Sequence, residues 1–339
     1  MFARILGAAV VLAAAAALLV AGWPQLFGLQ QTAGVAQVVA LRGVAASGAT
    51  IALILFVVIA LLSRGARRFF ASLAVVLLAF IGLTAAVLGT RGIGNPGMPT
   101  AAEADVTVLA WNTLGDAPGP SAVATLIAES GADVVALPET TWTFADEVVT
   151  LLAADGIEMQ TFTAAYDQIS RARSTTLLVS TALGEYTADL SAPTTSQLPS
   201  VVAVPVDGSG PTLIALHAVA PIEGEMVSWR ADLQWMAEQC ADPNVIIAGD
   251  ANSTVDHWAG LTTADGAAIG GCVDAAVATG NGAVGTWPTA VPPLLGSPID
   301  HVLAGPDWSA TGFRVIGSHD GHGSDHRPVL AQLTPALAP

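Results

Sequence analysis

Residues that bind metals and phosphates recur at the ends of apolar segments in the second two-thirds of the chain. The clearest segment is 245–253, where four apolar residues precede Gly249, Asp250 and Asn252. The apolar run predicts a buried strand, and Gly249 permits a tight turn after it. Side chains two positions apart in an extended chain point the same way, so Asp250 and Asn252 are placed to contact one ligand together. An Asx turn that only ends the strand is the alternative interpretation of this segment.

The same pattern occurs in five further segments, each with a carboxylate, amide or imidazole next to a predicted strand. Any one such residue is more often a group that caps the strand end. Five endings of this kind within one region indicate a shared site. The polar residues of the five segments, in chain order, are Asn112, Glu139, His217, Asp300, Asp325 and His326.

These residue types suit the hydrolysis of a phosphoester. Such a reaction needs neutralised charge on the phosphate oxygens, an activated water and a stabilised leaving oxygen. Magnesium prefers oxygen ligands and keeps several waters, so a few carboxylates and amides suffice to hold it. An imidazole beside a carboxylate is held in one tautomer and is stabilised when it carries a proton.

The composition divides the chain into two parts. The 339 residues are 53% hydrophobic and contain no lysine, and their mean hydropathy of +0.62 is high for a soluble enzyme. All 27 acidic residues follow residue 100, and six of the 11 arginines precede it. Five arginines against 27 acids leave the later part with a formal charge of −22. The sequence therefore predicts a membrane domain at 1–90 and a strongly acidic domain at 105–335.

Three apolar runs, at 5–22, 44–62 and 69–88, are each close to the ~20 residues that a helix needs to cross a ~30 Å hydrocarbon layer. A cleaved signal peptide is the alternative for the first run. The short loop at 63–68 carries three arginines, which places it and Arg4 in the cytoplasm. After three spans, the acidic domain is expected outside the membrane, in a multi-pass cell-membrane protein.

A linker rich in glycine and proline is predicted at 91–104, and its shortness keeps the acidic domain near the membrane surface. Beyond it the pattern alternates between strands and helices, but three strand candidates at 175–180, 200–206 and 212–217 follow one another directly. Such a run favours an α/β fold with two packed sheets flanked by helices over one doubly wound sheet.

The ordered set of motifs resembles the endonuclease/exonuclease/phosphatase family. The similar segments are Gly-Asp-Ala-Asn at 249–252, Gly-Thr-Trp-Pro at 285–288, Ile-Asp-His at 299–301 and Ser-Asp-His-Arg-Pro at 324–328. The resemblance implies a four-layered α/β sandwich over residues 105–335 that cleaves phosphomonoesters or phosphodiesters. Two departures are Ala251, where the family often has an aromatic residue, and the Ala-Val-Ala-Pro that follows His217.

The resemblance also implies a metal site. Glu139 corresponds to the principal ligand, and Asn112 and Asp325 lie close to the ion. The implied cofactor is Mg²⁺, with Mn²⁺ as the alternative. The number of ions stays open.

Catalytic roles come from the same resemblance. His326 is expected to contact the phosphate or activate water, with Asp300 as the carboxylate that orients it. Asp250 and Asn252 are expected to hold the nucleophilic water and the phosphate. His217 is a second donor on the phosphate side or the acid to the leaving group, and the identity of the general base stays open.

The predicted substrate is an envelope or lipid-linked phosphoester. The charge of −22 disfavours nucleic acid, because nucleic-acid enzymes generally present a basic surface. Three spans followed by this domain resemble the VanJ-type membrane proteins, and the membrane bilayer is the expected partner. The sequence implies no protein partner. An extracytoplasmic nuclease and a binding module without catalysis are the alternatives.

Several other residues have two interpretations. Cys240 and Cys272 are the only cysteines, and outside the membrane such a pair favours a disulfide. His319 and His322 suggest either a zinc site with His326 or loop histidines near the active site, and the second is favoured. His301 is expected to face away from Asp300 and to have a structural role. His257 and Trp258 are expected either at the rim of the substrate site or in a surface loop. Arg171 and Arg173 either bind a phosphate or a head group or are simply exposed.

Overall fold

The computed structural model describes residues 2–94, 97–166, 170–263 and 266–336. They form two compact units, Met1–Arg91 and Gly92–Pro339. Residues 95 and 96 of the predicted linker lie outside the described residues. Gly92 and Gly94 of that linker belong to the second unit: the Gly92 carbonyl accepts from the Ala283 amide, and the Gly94 amide donates to the Gly280 carbonyl.

The described residues of the first unit form four α-helices, α1 (Phe2–Gly22), α2 (Val35–Ala40), α3 (Arg42–Leu62) and α4 (Arg67–Arg91), and a short 3-10 helix at Pro24–Phe27. Among the described residues, three helical stretches are long and apolar enough to span a membrane, Arg4–Gly22, Arg42–Leu62 and Arg67–Arg91. They coincide with the three predicted apolar runs, and the crossing of a membrane stays a prediction. The helices α3 and α4 pack around buried Ala49, Leu77 and Phe80. At the start of α3, buried Arg42 donates to the carbonyl of Gly22 at 3.0 Å, where α1 ends.

The second unit contains two six-stranded sheets. The first has the order β11-β12-β1-β2-β4-β3, and the second has the order β5-β6-β7-β8-β10-β9. The strands of the first sheet are β1 (Val106–Ala110), β2 (Val134–Pro138), β3 (Met159–Ala165), β4 (Ser174–Ser180), β11 (Trp308–Val315) and β12 (Val329–Pro335). Those of the second are β5 (Tyr186–Ala188), β6 (Val201–Pro205), β7 (Thr212–His217), β8 (Val245–Asp250), β9 (Val273–Asp274) and β10 (Asp300–Ala304).

The sheets pack on each other through a core to which both contribute, with Val108, Leu177, Leu213 and Val302 among its fully buried residues. Helices cover the outer faces. On the first sheet, α5 (Pro120–Ser130) and α6 (Trp142–Ala154) pack through a second apolar cluster. The longer helix α7 (Met226–Gln239) buries Trp229, and a short helix, α8 (Ala275–Ala278), follows β9. The predicted α/β sandwich of two packed sheets flanked by helices is confirmed.

Sheet topology brings the predicted polar residues to one edge of this sandwich. The strand β1 pairs in parallel with β2, and β7 pairs in parallel with β8, so the residues after each pair meet at one edge of their sheet. The strand β12 runs antiparallel to β1, which places the residues before Val329 beside those after Ala110. In the second sheet, antiparallel pairing of β10 with β8 puts Asp300 opposite Asp250.

A disulfide joins Cys240, just after α7, to Cys272, just before β9. The predicted pairing is therefore present in the structure. The closed segment includes β8 and both Asp250 and Asn252. The backbone amide of Gly271 also donates to the carbonyl of Cys240 at 3.0 Å, so this connection has a hydrogen bond beside the covalent link.

Candidate active site

Asn112 connects the two sheets at this edge. Its Nδ2 atom donates to Glu139 Oε1 and to Asp250 Oδ2, each at 3.1 Å. Glu139 follows β2 in the first sheet, and Asp250 ends β8 in the second. The amide oxygen of Asn112 accepts from the backbone amide of Leu114 at 2.9 Å, which fixes the direction of the amide. One neutral side chain therefore holds two carboxylates from different sheets close together.

Asp250 and Asn252 form both a turn and part of the site. The Asn252 backbone amide donates to Asp250 Oδ1 at 2.8 Å, which is the Asx turn that the sequence left open. The Asn252 side chain donates to the Ala218 carbonyl at 2.9 Å and to Asp250 Oδ2 at 3.2 Å. Asn252 has a φ of 44°, a conformation that asparagine tolerates better than most residues. The turn thus directs the Asp250 carboxylate toward Asn112.

His326 and Asp300 are a buried hydrogen-bonded pair. His326 Nδ1 lies 2.9 Å from Asp300 Oδ2, and His326 Nε2 points toward Asp250 Oδ2 at 3.8 Å. The backbone amide of Asp300 donates to Thr286 Oγ1 at 3.1 Å. The backbone amide of His326 donates to Ser324 Oγ at 3.0 Å. Both side chains are therefore positioned from their backbones as well as by each other.

Asp325 lies beside this pair, and among the described residues only one of its two carboxylate oxygens has a hydrogen-bond partner. Trp287 Nε1 donates to Asp325 Oδ2 at 2.8 Å, which gives a function to the Gly-Thr-Trp-Pro segment. Asp325 Oδ1 is buried and has no hydrogen-bond partner among the residues that the structure describes. It lies 3.9 Å from His326 Nε2. A buried carboxylate oxygen in this state is costly unless a cation or water contacts it.

His217 completes the polar cluster from the second sheet. Its Nε2 atom lies 4.0 Å from Glu139 Oε1, and its Nδ1 atom lies 3.3 Å from Thr175 Oγ1. Burial, together with the nearby charge of His326, lowers the pKa of His217 to about 3. His217 is therefore neutral at pH 7 and can offer an N–H, but it carries no positive charge.

The charges of the cluster set the remaining pKa values. Burial raises the pKa of Asp250 to about 7, although His326 and hydrogen bonds from Asn252 and Asn112 oppose that rise. Burial also raises the pKa of Glu139, against the hydrogen bond from Asn112. For His326, burial favours the neutral form, but Asp300 and Asp250 outweigh it and raise the pKa to about 10.

This edge has oxygen donors that could hold a divalent cation. Four carboxylates, from Glu139, Asp250, Asp300 and Asp325, surround one cationic imidazole, so the cluster carries excess negative charge. The orphaned Asp325 Oδ1 is a second observation that fits a bound cation. Asp250, Asp300 and His326 also have ligand atoms within 4.8 Å of one another and could hold a metal ion. Because Asp300 already occupies Nδ1 of His326, that group is better described as a hydrogen-bonded pair beside a carboxylate.

Backbone strain occurs at the cluster itself. Glu139 has a φ of 57°, which is unusual for a residue other than glycine. Its carbonyl accepts from Thr113 Oγ1 at 2.9 Å, and Thr113 also bonds with Thr140 at 2.8 Å. These neighbours hold the strained residue so that its carboxylate faces Asn112. Strain of this kind clusters at functional sites.

The structure brings together all eight residues that the sequence singled out: Asn112, Glu139, His217, Asp250, Asn252, Asp300, Asp325 and His326. Their individual roles stay predictions. Sequence reasoning gave no role to the residues that support them, which are Thr113, Thr175 and Ser200, and Thr286 and Ser324 within two of the segments that carry the family resemblance. Serine and threonine are frequent in strands and loops, so only their position beside a predicted site residue could have indicated a role.

Other histidines have structural partners. His301 faces away from Asp300 as predicted: it contacts Asp274 at 2.6 Å and the Ser253 carbonyl at 2.9 Å. His319 and His322 pack on each other, with ring centroids 4.8 Å apart, and His319 also packs against Trp111. His326 is paired with Asp300, which argues against the zinc alternative.

The rim and surface-loop interpretations of His257 and Trp258 were both wrong, because both side chains are fully buried. His257 accepts from the backbone amide of Thr254, and Trp258 donates to Ser253. They pack beneath the turn that carries Asn252. Arg171 is largely exposed and lies 3.6 Å from Asp116.

Two packed sheets with a carboxylate, amide and imidazole cluster at one edge define an α/β sandwich with a candidate active site. A model of the Endonuclease/Exonuclease/phosphatase family matches residues 109–326, and the chain belongs to this family. The matched region begins in β1 and ends at His326, so it contains all eight residues of the cluster. No curated protein matches the chain.

Solved structures share the fold at low identity. A humanized D. rerio TDP2 with 14 mutations is 16% identical, with a TM-score of 0.52, over 68% of this chain and all of that one. D. rerio TDP2 in complex with a single-strand DNA product is 17% identical, with the same TM-score and coverage. A family member from Beutenbergia cavernae DSM 12333 is 20% identical, with a TM-score of 0.50, over 70% of this chain and 73% of that one. At these identities the similarity concerns the fold alone.

Proposed function

We propose that the chain is a membrane-anchored, extracytoplasmic phosphoesterase that depends on a divalent cation and acts on an envelope or lipid-linked phosphoester. One observation carries the catalytic part of this proposal. Asn112 joins Glu139 and Asp250 at 3.1 Å each, and His326 lies 3.8 Å from the same Asp250 oxygen. Acid, amide and imidazole groups from two sheets thus face one small volume.

Glu139 and Asp325 are the residues that would hold the cation, with Asn112 as a third ligand if its amide turns. Their oxygen atoms suit Mg²⁺ or Mn²⁺. When bound, such an ion supplies Lewis-acid stabilisation of the phosphate charge.

His326 and His217 have different tasks on the phosphate. His326 is protonated at neutral pH, since its pKa is about 10, and Asp300 fixes the ring so that Nε2–H is available to a phosphate oxygen. His217 is neutral, and with Nδ1 accepting from Thr175 it presents Nε2–H toward Glu139 and the site. One charged and one uncharged donor would therefore orient the same group.

Asp250 is our candidate for the general base. A carboxylate with its pKa raised to about 7 accepts a proton from water more readily than an ordinary aspartate does. The Asn252 amide and the Asn112 side chain hold its two oxygens in place. Water activated at Asp250 would then meet a phosphate held by His326.

The substrate class follows from charge and connectivity. The later part of the chain has a formal charge of −22 and no lysine, which opposes the approach of a nucleic-acid strand. The candidate span Arg67–Arg91 ends directly before the unit that carries the cluster, so a substrate in or on the bilayer is accessible to it. The three-arginine loop at 63–68 favours an extracytoplasmic position.

The test is turnover by the full chain in detergent with Mg²⁺. Four substrates are offered: a generic phosphodiester, a polyprenyl pyrophosphate, a phospholipid and supercoiled DNA. We expect hydrolysis of the lipid-linked compounds, no nicking of DNA, and loss of activity in Asp250→Ala and His326→Ala. Cleavage of DNA alone would establish a nuclease instead, and no turnover of any phosphoester would favour a binding module.

A further inference from the structure

A groove of about 480 Å³ lies beside the cluster and contains none of its eight residues. We call it the Trp142 groove. Its lining comes from the loop after β1, the starts of α5 and α6, the end of β3 and the described residues 170–174. The residues that matter for its chemistry are Asp116, Thr141, Trp142, Glu147, Arg171 and Ser174.

The Trp142 groove adjoins the cluster through two segments. Thr141 lines it and lies two residues after Glu139. Ser174 lines it and precedes Thr175, whose hydroxyl contacts His217 at 3.3 Å. A substrate whose phosphate occupies the cluster therefore has the groove next to it, on the side of Glu139 and His217.

The walls of the groove are held in a fixed position. Asp116 accepts from the Thr141 backbone amide at 3.0 Å and from its hydroxyl at 2.8 Å. Asp116 also lies 3.6 Å from Arg171, which donates to the Gly115 carbonyl at 3.3 Å. By contrast, Trp142 leaves 63% of its surface exposed, although indole is one of the most costly side chains to leave in water. The groove thus offers a preformed site with a free aromatic face.

Its composition selects among ligands. An acyl or prenyl chain would desolvate the charged side chains of Glu147 and Arg171, so hydrocarbon is unfavourable there. A strand of nucleic acid would meet Glu147 and the overall negative charge. A sugar ring suits the groove better, because its hydroxyls both donate to a carboxylate and accept from a guanidinium while its apolar face covers an indole.

We propose that the Trp142 groove binds a sugar ring attached to the phosphate of the substrate. This inference rests on the proposed phosphoesterase function, and it assigns the glycosyl half of the substrate to the groove and the lipid half elsewhere. Trp142 stacks on the ring, and Arg171 and Glu147 bond with its hydroxyls. Trp142 is thereby a specificity-determining residue.

Binding tests the groove without turnover. Calorimetric titrations use the full chain in detergent with Mg²⁺ and the change Asp250→Asn, which removes the proposed general base but keeps His326 for the phosphate, so that the probes are not consumed. The probes are inorganic phosphate, glucose 1-phosphate, adenosine 5′-monophosphate and farnesyl phosphate. We expect glucose 1-phosphate to bind more tightly than phosphate, and Trp142→Ala to weaken its binding about tenfold without changing that of phosphate.

Two matched variants separate stacking from folding. Trp142→Phe keeps an aromatic face and should retain most of the preference for the sugar. Leu151→Ala changes another exposed apolar residue of α6, outside the groove, and should change nothing. Equal affinity for phosphate and glucose 1-phosphate would overturn the proposal. A preference for adenosine 5′-monophosphate or farnesyl phosphate that disappears in Trp142→Ala would also overturn it.

The outcome also separates this inference from the function on which it rests. If the unmodified chain hydrolyses a generic phosphodiester but the sugar preference is missing, the groove assignment fails alone. If the sugar preference depends on Trp142 but no phosphoester is hydrolysed, the catalytic proposal fails and the groove assignment holds.

Discussion

His326 is the residue on which the proposed chemistry depends most directly, because it is the only cation among four carboxylates of the cluster. We expect His326→Gln to lower kcat by about 10²- to 10⁴-fold, since glutamine can donate a hydrogen bond but holds no positive charge. His322→Gln is the matched control, because His322 is exposed and lies outside the cluster. Steady-state kinetics on the best substrate gives kcat for both variants. If His326→Gln and His322→Gln had the same kcat, His326 would have no part in the mechanism.

A metal at Glu139 and Asp325 should be detectable without a substrate. An ion that binds only the folded chain raises its stability by about 2.7 kcal/mol when free ion exceeds Kd ~100-fold. We expect Mg²⁺ to raise the thermal midpoint of unfolding, and Asp325→Asn and Glu139→Gln to abolish that rise. Asp146→Asn, an exposed change on α6, is the control that should keep it. If the variants keep the full Mg²⁺ effect, the ion binds elsewhere.

At the same scale, the sequence indicated the reactive residues but not how they contact one another. Asp250 and Asn252 were identified because a carboxylate and an amide follow a glycine at a strand end. The bridging role of Asn112 joins residues 27 and 138 positions away, and no local pattern contains such distances. His257 and Trp258 were misassigned for a similar reason, since their burial depends on packing against Trp229 and His301.

Among the elements, β8 requires glycine at position 249. Gly249 has a φ of 138°, and a Cβ there would lie 2.1 Å from the Leu216 carbonyl oxygen on the neighbouring strand β7. We expect Gly249→Ala to destabilise the fold by about 3 kcal/mol or more, from backbone strain and the clash together. Gly208 has a φ of 72°, and a Cβ added there would meet no other atom within 4 Å. We therefore expect Gly208→Ala to lower the free energy of unfolding by only about 1 kcal/mol. Thermal unfolding measures both variants. If Gly249→Ala and Gly208→Ala destabilised the fold equally, the predicted clash with Leu216 would be contradicted.

The pair of His301 and Asp274 connects β10 to β9 and makes stability depend on pH. Burial lowers the pKa of His301, but the Asp274 charge and hydrogen bond outweigh burial and raise it overall. A histidine with a raised pKa in the fold contributes stability that is complete below the unfolded pKa, near 6.5, and is lost as pH rises through the folded pKa. His301→Gln should therefore cost about 1.5 to 3 kcal/mol at pH 6 and less at alkaline pH.

Thermal midpoints of the two chains across pH 6 to 10 measure this difference. His322→Gln serves as the reference, since an exposed histidine should show no such trend. A constant difference between the unmodified chain and His301→Gln would mean that His301 is uncharged in the fold.

Elements with a strong apolar pattern were predicted and the others were not. The strands β1, β2, β4, β6, β7, β8, β10 and β12 appear within a few residues of the predicted positions, and all of them except β6 are fully or largely buried. The strands β3, β5, β9 and β11 were missed. They lie at or next to sheet edges, and β3 and β11 are partly exposed. Edge strands form through pairing with a neighbour, which a single segment does not reveal.

For the whole molecule, composition alone separated an apolar, arginine-bearing part from an acidic one, and the structure has two units with a boundary at Arg91. The α/β sandwich followed from strand order, because three successive strands cannot all be covered by intervening helices. Composition does not indicate which side of the membrane the second unit occupies. That depends on the arginines of the loop at 63–68.

The predicted orientation puts the carboxyl terminus outside the membrane. Three spans with a cytoplasmic amino terminus leave the chain on the far side after Arg91. A reporter fused after Pro339 tests this: alkaline phosphatase should be active there and green fluorescent protein dark. The disulfide between Cys240 and Cys272 gives an independent readout, because it persists only in an oxidising compartment. Thiol alkylation of the chain taken directly from cells should find both cysteines blocked. A fluorescent fusion together with two free thiols would place the cluster in the cytosol and remove the envelope substrate from the proposal.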